Sequence, residues 1–391
     1  MKLRLFIFCL VFASALGAQS ADTLFVLRSP QYTNPMYEAY SLNYLGVEAA
    51  GRGYTGTGVL GSAQGALLNP AIMLVENPRV FTEVIIKPPI DAYGLVFPSR
   101  YSSPLPSGIF GFSFPLGSKL ATAIMYSNPK SLVLDDFSIL INQGNDMITR
   151  YPQYYLHQFS GMANYQVLDC LNLGLSLHNQ IHYLDDVTFL KTYDRIQEYK
   201  YALRVQPGIL YHTNDLAAGF SMTLPTNLDW DLRYAQYDTV LPLELGAGLS
   251  YARDRYRFSS DFRYSQDSAI DEHYEDRYSI HLGGERRDGN IIYRAGYFYK
   301  SNVWDGTLLL PENTNEDADE SIFWEDVART LPVEDNSQHF ISAGFGYLFS
   351  DGSLNVSVLS AVAAEFKTTQ INLSLSLYLS SFKLKDSLKT E

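Results

Sequence analysis

From residue 79 onward, apolar and polar residues alternate singly along the chain. That period sends successive side chains to opposite faces of an extended strand. In residues 171–183, Leu171, Leu173, Leu175, Leu177, Ile181 and Tyr183 share one face, and Asn172, Ser176, His178, Gln180 and His182 share the other. Residues 371–379 set Ile371, Leu373, Leu375, Leu377 and Leu379 against Asn372, Ser374, Ser376 and Tyr378. Residues 255–264 place Tyr256, Phe258, Phe262 and Tyr264 opposite Arg255, Arg257, Ser259, Asp261 and Arg263. Residues 198–211 oppose Tyr199, Tyr201, Leu203, Val205, Ile209 and Tyr211 to Glu198, Lys200, Arg204 and Gln206. Comparable runs cover 79–86, 107–116, 119–127, 155–167, 216–224, 228–235, 242–251, 277–285, 290–300, 337–349 and 353–360, fifteen in all. The pattern predicts a large antiparallel sheet.

Two architectures bury so many half-apolar strands. A soluble sandwich or propeller turns the apolar faces inward, whereas a transmembrane barrel turns them toward lipid and lines its lumen with the polar faces. Here the polar faces carry charges and amides interspersed with glycine. The apolar faces often end in aromatics (Tyr183, Tyr199, Tyr211, Tyr251, Tyr297, Tyr299, Phe382), as membrane girdles do. Short turns at 116–118, 169–170, 213–214 and 350–352 alternate with long polar connections at 128–153 and 301–336. No fixed-period repeat marks a propeller. These features favour an all-β fold, a transmembrane antiparallel β-barrel. Single-chain barrels have even strand numbers, so about 14 strands are expected and one of the runs is surplus. By the same alternation Arg204, Glu244, Arg255, Arg257, Asp261 and Arg263 face the lumen.

The N-terminus predicts export. Lys2 and Arg4 precede an apolar run over 5–16, and Ala15, Gly17 and Ala18 offer cleavage sites, which describes a signal peptide over 1–18. Its removal takes away two bases and moves the formal charge from −13 to −15. So acidic a chain is a poor match for a phosphate backbone, and no nucleic-acid partner is expected. Removal also leaves Cys170 as the sole cysteine, which excludes an internal disulfide and a thiolate metal cluster. No later apolar run is long enough for a helical membrane span.

Between leader and strands, residues 19–78 form a separate segment whose core, 43–73, is dense in glycine and almost uncharged. Leu45, Val47, Leu60, Leu67, Leu68, Ile72 and Met73 make it too apolar for a linker, and a compact plug fits better. Pro70 excludes Asn69 from helical backbone, marking a turn. The run Gly51-Arg52-Gly53-Tyr54-Thr55-Gly56-Thr57-Gly58, followed by Asn69-Pro70-Ala71 just before the first strand, resembles the hatch of FadL-type transporters of long-chain fatty acids and other hydrophobic compounds. The resemblance implies a monomeric outer-membrane channel for a hydrophobic small molecule, surrounded by membrane lipids. It further implies a hatch over 19–78, a barrel over 79–382 and a polar tail over 383–391. Gly51, Arg52, Gly53, Gly56, Gly58, Asn69, Pro70 and Ala71 are then the gating residues. PorV-type secretion components share such a hatch, so a shuttle that docks exported proteins is the alternative.

Catalysis is not expected. His178 and His182 share a face, but four extended residues separate them by about 13 Å, too far for one metal. His157 and Ser160 are three apart and lie on opposite faces. No nucleophile elbow, phosphate loop or zincin motif occurs, and no cofactor is implied. The acidic run over 312–335, with Phe323 and Trp324 inside it, reads as a solvated loop rather than a calcium site.

Overall fold

The computed structural model describes residues 41–379 except 62, 94–97, 103–106, 136, 142–145, 191, 233–234, 271–273, 304–336 and 364–367. The expected signal peptide, residues 19–40, nearly all of the acidic loop over 301–336 and the 383–391 tail lie outside the described residues. Among the described residues, nineteen strands follow residue 78. The first six are β1 (Arg79–Ile86), β2 (Ile90–Tyr93), β3 (Pro98–Ser102), β4 (Ser107–Pro115), β5 (Leu120–Asp135) and β6 (Phe137–Ile141). Next come β7 (Asp146–Leu168), β8 (Leu171–Leu190), β9 (Thr192–His212), β10 (Leu216–Thr223), β11 (Thr226–Leu232) and β12 (Ala235–Leu241). The rest are β13 (Glu244–Arg253), β14 (Tyr256–Ser265), β15 (Arg277–Asp288), β16 (Ile291–Lys300), β17 (Gln338–Phe349), β18 (Gly352–Ala363) and β19 (Thr369–Tyr378).

Fourteen of these, β1, β4, β5, β7–β10 and β13–β19, form one antiparallel ring. It closes where β1 pairs with β19, from Arg79↔Tyr378 to Ile86↔Ile371. The surplus run is 228–235. It falls on β11 and β12, which pair with each other in a hairpin between β10 and β13 and never join the wall.

Burial follows the alternation. Leu173, Leu175, Leu177, Phe258, Phe262 and Leu282 are exposed on the outside, while Asn172, Ser176, His178, Gln180 and Asp261 are buried inside. The outer face is an apolar band in which Tyr199, Tyr211, Tyr251 and Tyr297 are exposed. An apolar outside around a closed ring is the architecture of an outer-membrane barrel, whose short turns face the periplasm. At that end Asp254 (φ 56°) and Gly289 (φ 62°) adopt the left-handed backbone that tight hairpin turns require.

The connection expected over 128–153 is largely strand instead. β5 continues to Asp135, and β6 pairs with the start of β7. Likewise β8 and β9 run past the apolar band and pair out to Leu190↔Thr192. A membrane strand needs only about 9–11 residues, so these extensions stand in water.

Residues 41–75 run inside the ring. They contain one short helix, α1 (Val47–Gly51), and two 3-10 turns, Gly65–Leu67 and Pro70–Ile72. From Met73 the chain leaves the lumen at the short-turn end and enters β1.

The assigned faces predict a depth-dependent cost for charge. Leu175 lies near the middle of the lipid-facing part of β8, and Leu175→Arg is expected to cost about 2–4 kcal/mol in reversible unfolding from lipid. Leu216 sits beside the 213–215 turn, so Leu216→Arg is expected to cost about 0–1 kcal/mol. Unboiled wild-type protein should migrate faster on a gel than boiled protein.

Candidate functional site

The inner segment has no sheet of its own, so its backbone groups need partners from the wall. Glu83, inward-facing on β1, accepts from the Gly46 and Val47 amides at 3.1 and 2.8 Å and satisfies the first turn of α1. The carboxylate is oriented by Asn372 Nδ2 at 2.7 Å. Gln370 accepts from the Tyr44 amide at 3.0 Å and donates to the Tyr44 carbonyl at 2.8 Å. Asn43 Nδ2 donates to the Asn128 carbonyl at 2.7 Å, and its backbone amide to that of Pro129 at 2.8 Å. Those carbonyls come free because the β5–β7 register shifts between Ser127 and Lys130.

The glycine-rich run lies against the wall opposite. Asp261 Oδ2 accepts from the Gly56 and Thr57 amides, both at 2.9 Å. Ser342 Oγ accepts from the Gly53 amide at 2.8 Å and donates to the Gly51 carbonyl at 3.2 Å. Gly53 carries φ 66° and Tyr54 carries φ 59°, so two consecutive residues are left-handed. For Tyr54 that backbone is disfavoured. It is held by Arg263, whose guanidinium donates to the Tyr54 carbonyl at 2.5 Å and lies 4.6 Å from its ring centroid. Burial raises the Tyr54 phenol above its ordinary pKa, partly offset by Arg263, and keeps it neutral. Its ring joins Tyr44, Phe298 and Phe340, with centroids 5.1 Å apart for Tyr44–Tyr54 and 4.4 Å for Phe298–Phe340.

Glycines of the wall permit this approach. A Cβ on Gly296 would stand 2.0 Å from the Gly53 nitrogen, and one on Gly219 would stand 2.0 Å from the Thr57 carbonyl oxygen. Neither position has room for a methyl group.

Asn69 shows why Asn-Pro-Ala stands where it does. Its Oδ1 accepts from the Ala71 amide at 3.0 Å and caps the turn that Pro70 begins. Its Nδ2 donates to the Thr57 carbonyl at 2.8 Å and to the Ile209 carbonyl of the wall at 3.1 Å. One side chain thus joins the turn, the glycine run and β9.

Arg52 donates to Glu285 at 2.9 Å, and the same carboxylate takes Arg294 at 2.9 Å and Arg257 at 3.3 Å. Of the residues expected to face inward, Asp261 and Arg263 touch the inner segment directly, and Arg257 reaches it through Glu285. Arg204 pairs with Glu244 at 2.8 Å and donates to the Pro242 carbonyl at 2.5 Å. Arg255 does not join the lumen. It sits exposed at the short-turn rim with Asp288 at 3.3 Å, because strand ends there clear the barrel wall. Glu83, Gln370, Asn372, Ser342 and His281 make inner-segment contacts that alternation did not single out. Asn372 already lay on the polar face of its run, but β1, apolar on both sides of Glu83, carries no such signal.

Above the segment, toward the long-connection end, lies a cavity of about 380 Å³. Its floor is Leu42, Tyr44, Leu45, Tyr54, Leu67 and Leu68, and its walls include Leu156, Leu228, Val240, Ile270 and Tyr274. His178, Gln180, His182, Arg204 and Gln206 supply a polar side. Ser160 and His178, which belong to different strands, come together at 2.7 Å across the β7–β8 ladder. Ser160 is buried behind the cavity and also receives Gln158 Nε2 at 3.2 Å, so the pair is a link in the wall. Among the described residues no three His, Cys, Asp or Glu side chains converge as a metal site.

No family model matches the chain, and no curated protein sequence matches it. Solved structures do. The Pseudomonas putida toluene transporter TodX superposes with a TM-score of 0.61 at 13% identity, over 86% of this chain and 98% of that one. A Pseudomonas aeruginosa FadL homologue gives 0.61 at 12%, over 87% and 99%. The Ralstonia pickettii toluene transporter TbuX gives 0.57 at 14%, over 85% and 97%. The fold expected from the hatch resemblance is therefore the fold found.

Asp261→Ala removes the acceptor of two inner-segment amides. It is expected to weaken that anchorage by about 1.5–3 kcal/mol, read as faster hydrogen exchange at Gly56 and Thr57 with unchanged exchange in the barrel strands.

Proposed function

We propose that the protein is an outer-membrane channel for small hydrophobic molecules, and that residues 41–75 are its hatch. The observation that carries this reading is an apolar, aromatic cavity whose floor is the inner segment itself. A molecule seated there replaces water against Leu42, Leu45, Leu68 and Tyr54, and burial of apolar surface supplies its affinity. Because it touches the hatch, its binding energy can differ between the seated hatch and a displaced one, as any ligand-driven opening requires. The fold similarity to TodX, TbuX and a FadL homologue supports the same reading.

The anchors differ along the hatch. Glu83 and Asn69 hold its two ends, and Arg52 ties the middle to Glu285 at the periplasmic side. On the cavity side Gln370 and Asn372 hold the Tyr44 backbone and Arg263 holds Tyr54, beside the ring contacts with Phe298 and Phe340. A closed ring has no free strand edge, so a single chain suffices for the channel.

Deletion of 43–73 tests the proposal. The barrel is expected to assemble, to pass small solutes in liposome swelling and to lose selectivity in hydrophobic uptake. A deletion variant no leakier than the intact protein removes the hatch role. Unchanged permeability with loss of a co-purifying exported protein would instead favour the docking role.

A further inference from the structure

The inner face of β8 carries a relay of hydrogen bonds along the cavity. Gln206 Nε2 donates to the Leu68 carbonyl at 3.3 Å, and its Oε1 pairs with His178 Nε2 at 3.1 Å. His178 Nδ1 meets Ser160 Oγ at 2.7 Å, Gln158 Nε2 donates to that oxygen at 3.2 Å, and Gln180 Nε2 donates to Gln158 Oε1 at 2.7 Å. This chain orients both amides, because a flip at Gln158 would set donor against donor and a flip at Gln180 acceptor against acceptor. It ends at Gln180 Oε1, a buried acceptor without a partner. One step further along the same face, His182 Nδ1 is held by the Tyr154 hydroxyl at 2.8 Å, and His182 Nε2 is buried and unpartnered as well. In the tautomer in which the phenol donates to Nδ1, Nε2 carries the ring proton. Both residues line the cavity and are more than nine-tenths buried, with 6% and 2% of their surface exposed.

Buried polar groups are almost always hydrogen-bonded, so an acceptor and a donor left unpartnered on two neighbouring cavity-lining side chains mark a place for a ligand, which reaches them once those side chains turn toward the cavity. We propose that Gln180 and His182 form the head-group subsite of this cavity, and that it takes a neutral hydroxyl on a hydrophobic body. The inference rests on the channel reading above and names the chemical class carried. A hydroxyl accepts from His182 Nε2 and donates to Gln180 Oε1 at once. A carboxylate is rejected, because its oxygens would face the Gln180 acceptor. The arginines around the cavity are already paired with carboxylates: Arg204 with Glu244 at 2.8 Å, Arg263 with Asp261 at 3.2 Å and Arg277 with Asp267 at 3.3 Å. Lys130 and Lys300 are engaged too. A bare hydrocarbon fits the aliphatic lining but leaves both polar atoms unpaired, the situation in which hydrogen-bonding sites discriminate strongly.

The test is displacement of radiolabelled 1-hexadecanol from the full chain in detergent by unlabelled hexadecane and by ionised hexadecanoate. The alcohol is expected to bind at least about tenfold more tightly than either competitor. Gln180→Leu and His182→Phe should each remove most of that preference for the alcohol over hexadecane. Hexadecanoate binding as well as the alcohol, or both variants retaining the alcohol preference, would overturn the subsite. Equal binding of all three molecules would overturn the subsite and leave the channel standing. Binding of none would overturn the channel reading with it.

Discussion

The pairing of β1 with β19 is the contact on which the rest of the molecule depends. A bilayer core offers no hydrogen-bond partner, so an open sheet edge at that depth would leave a row of amides and carbonyls unpaired. Closing the ring pairs every wall strand on both sides. Once the ring is closed, each strand has one face toward hydrocarbon and one toward the lumen. The single alternation along the chain follows from that division.

Closure also creates an interior unlike a soluble core. The lumen is lined largely by polar side chains, among them Asn172, Ser176, Gln180 and Asp261. What fills it is a segment with little regular structure, whose backbone is paired by Glu83, Asn372, Ser342 and Asp261 rather than by a ladder. Glycine on both partners lets main chain lie on main chain, as at Gly53 against Gly296. The wall thus supplies as side chains the hydrogen bonds that a strand would have supplied as backbone.

The contents of the lumen are unequal along its axis. At the periplasmic side Arg52, Arg257 and Arg294 converge on Glu285, a charged cluster with its partners in hand. At the other side the aromatic group of Tyr44, Tyr54, Phe298 and Phe340 borders the apolar cavity. Apolar surface therefore lies on one side of the inner segment and a hydrogen-bonded charged cluster on the other.

The sequence by itself determined the class of fold, the inward and outward faces of most wall strands, and the turns at one end, because lipid contact imposes a local rule on every second residue. It also singled out the glycine run and Asn69-Pro70-Ala71, whose composition suits close backbone contact. Where the local rule lapses, only tertiary structure decided the outcome. The extensions of β5, β7, β8 and β9 run past the length that lipid contact requires, while the 228–235 run alternates without belonging to the ring. Glu83 lies on a strand apolar on both sides of it, so its role depends on what reaches it across the lumen. Ser160 and His178 are eighteen residues apart and meet through register alone. Arg255 shares a face with Asp261 but ends at the rim, because alternation assigns direction and not depth. Depth and partnership come from closure, which brings β1 to β19 and the inner segment to every wall, and no window of neighbouring residues encodes that.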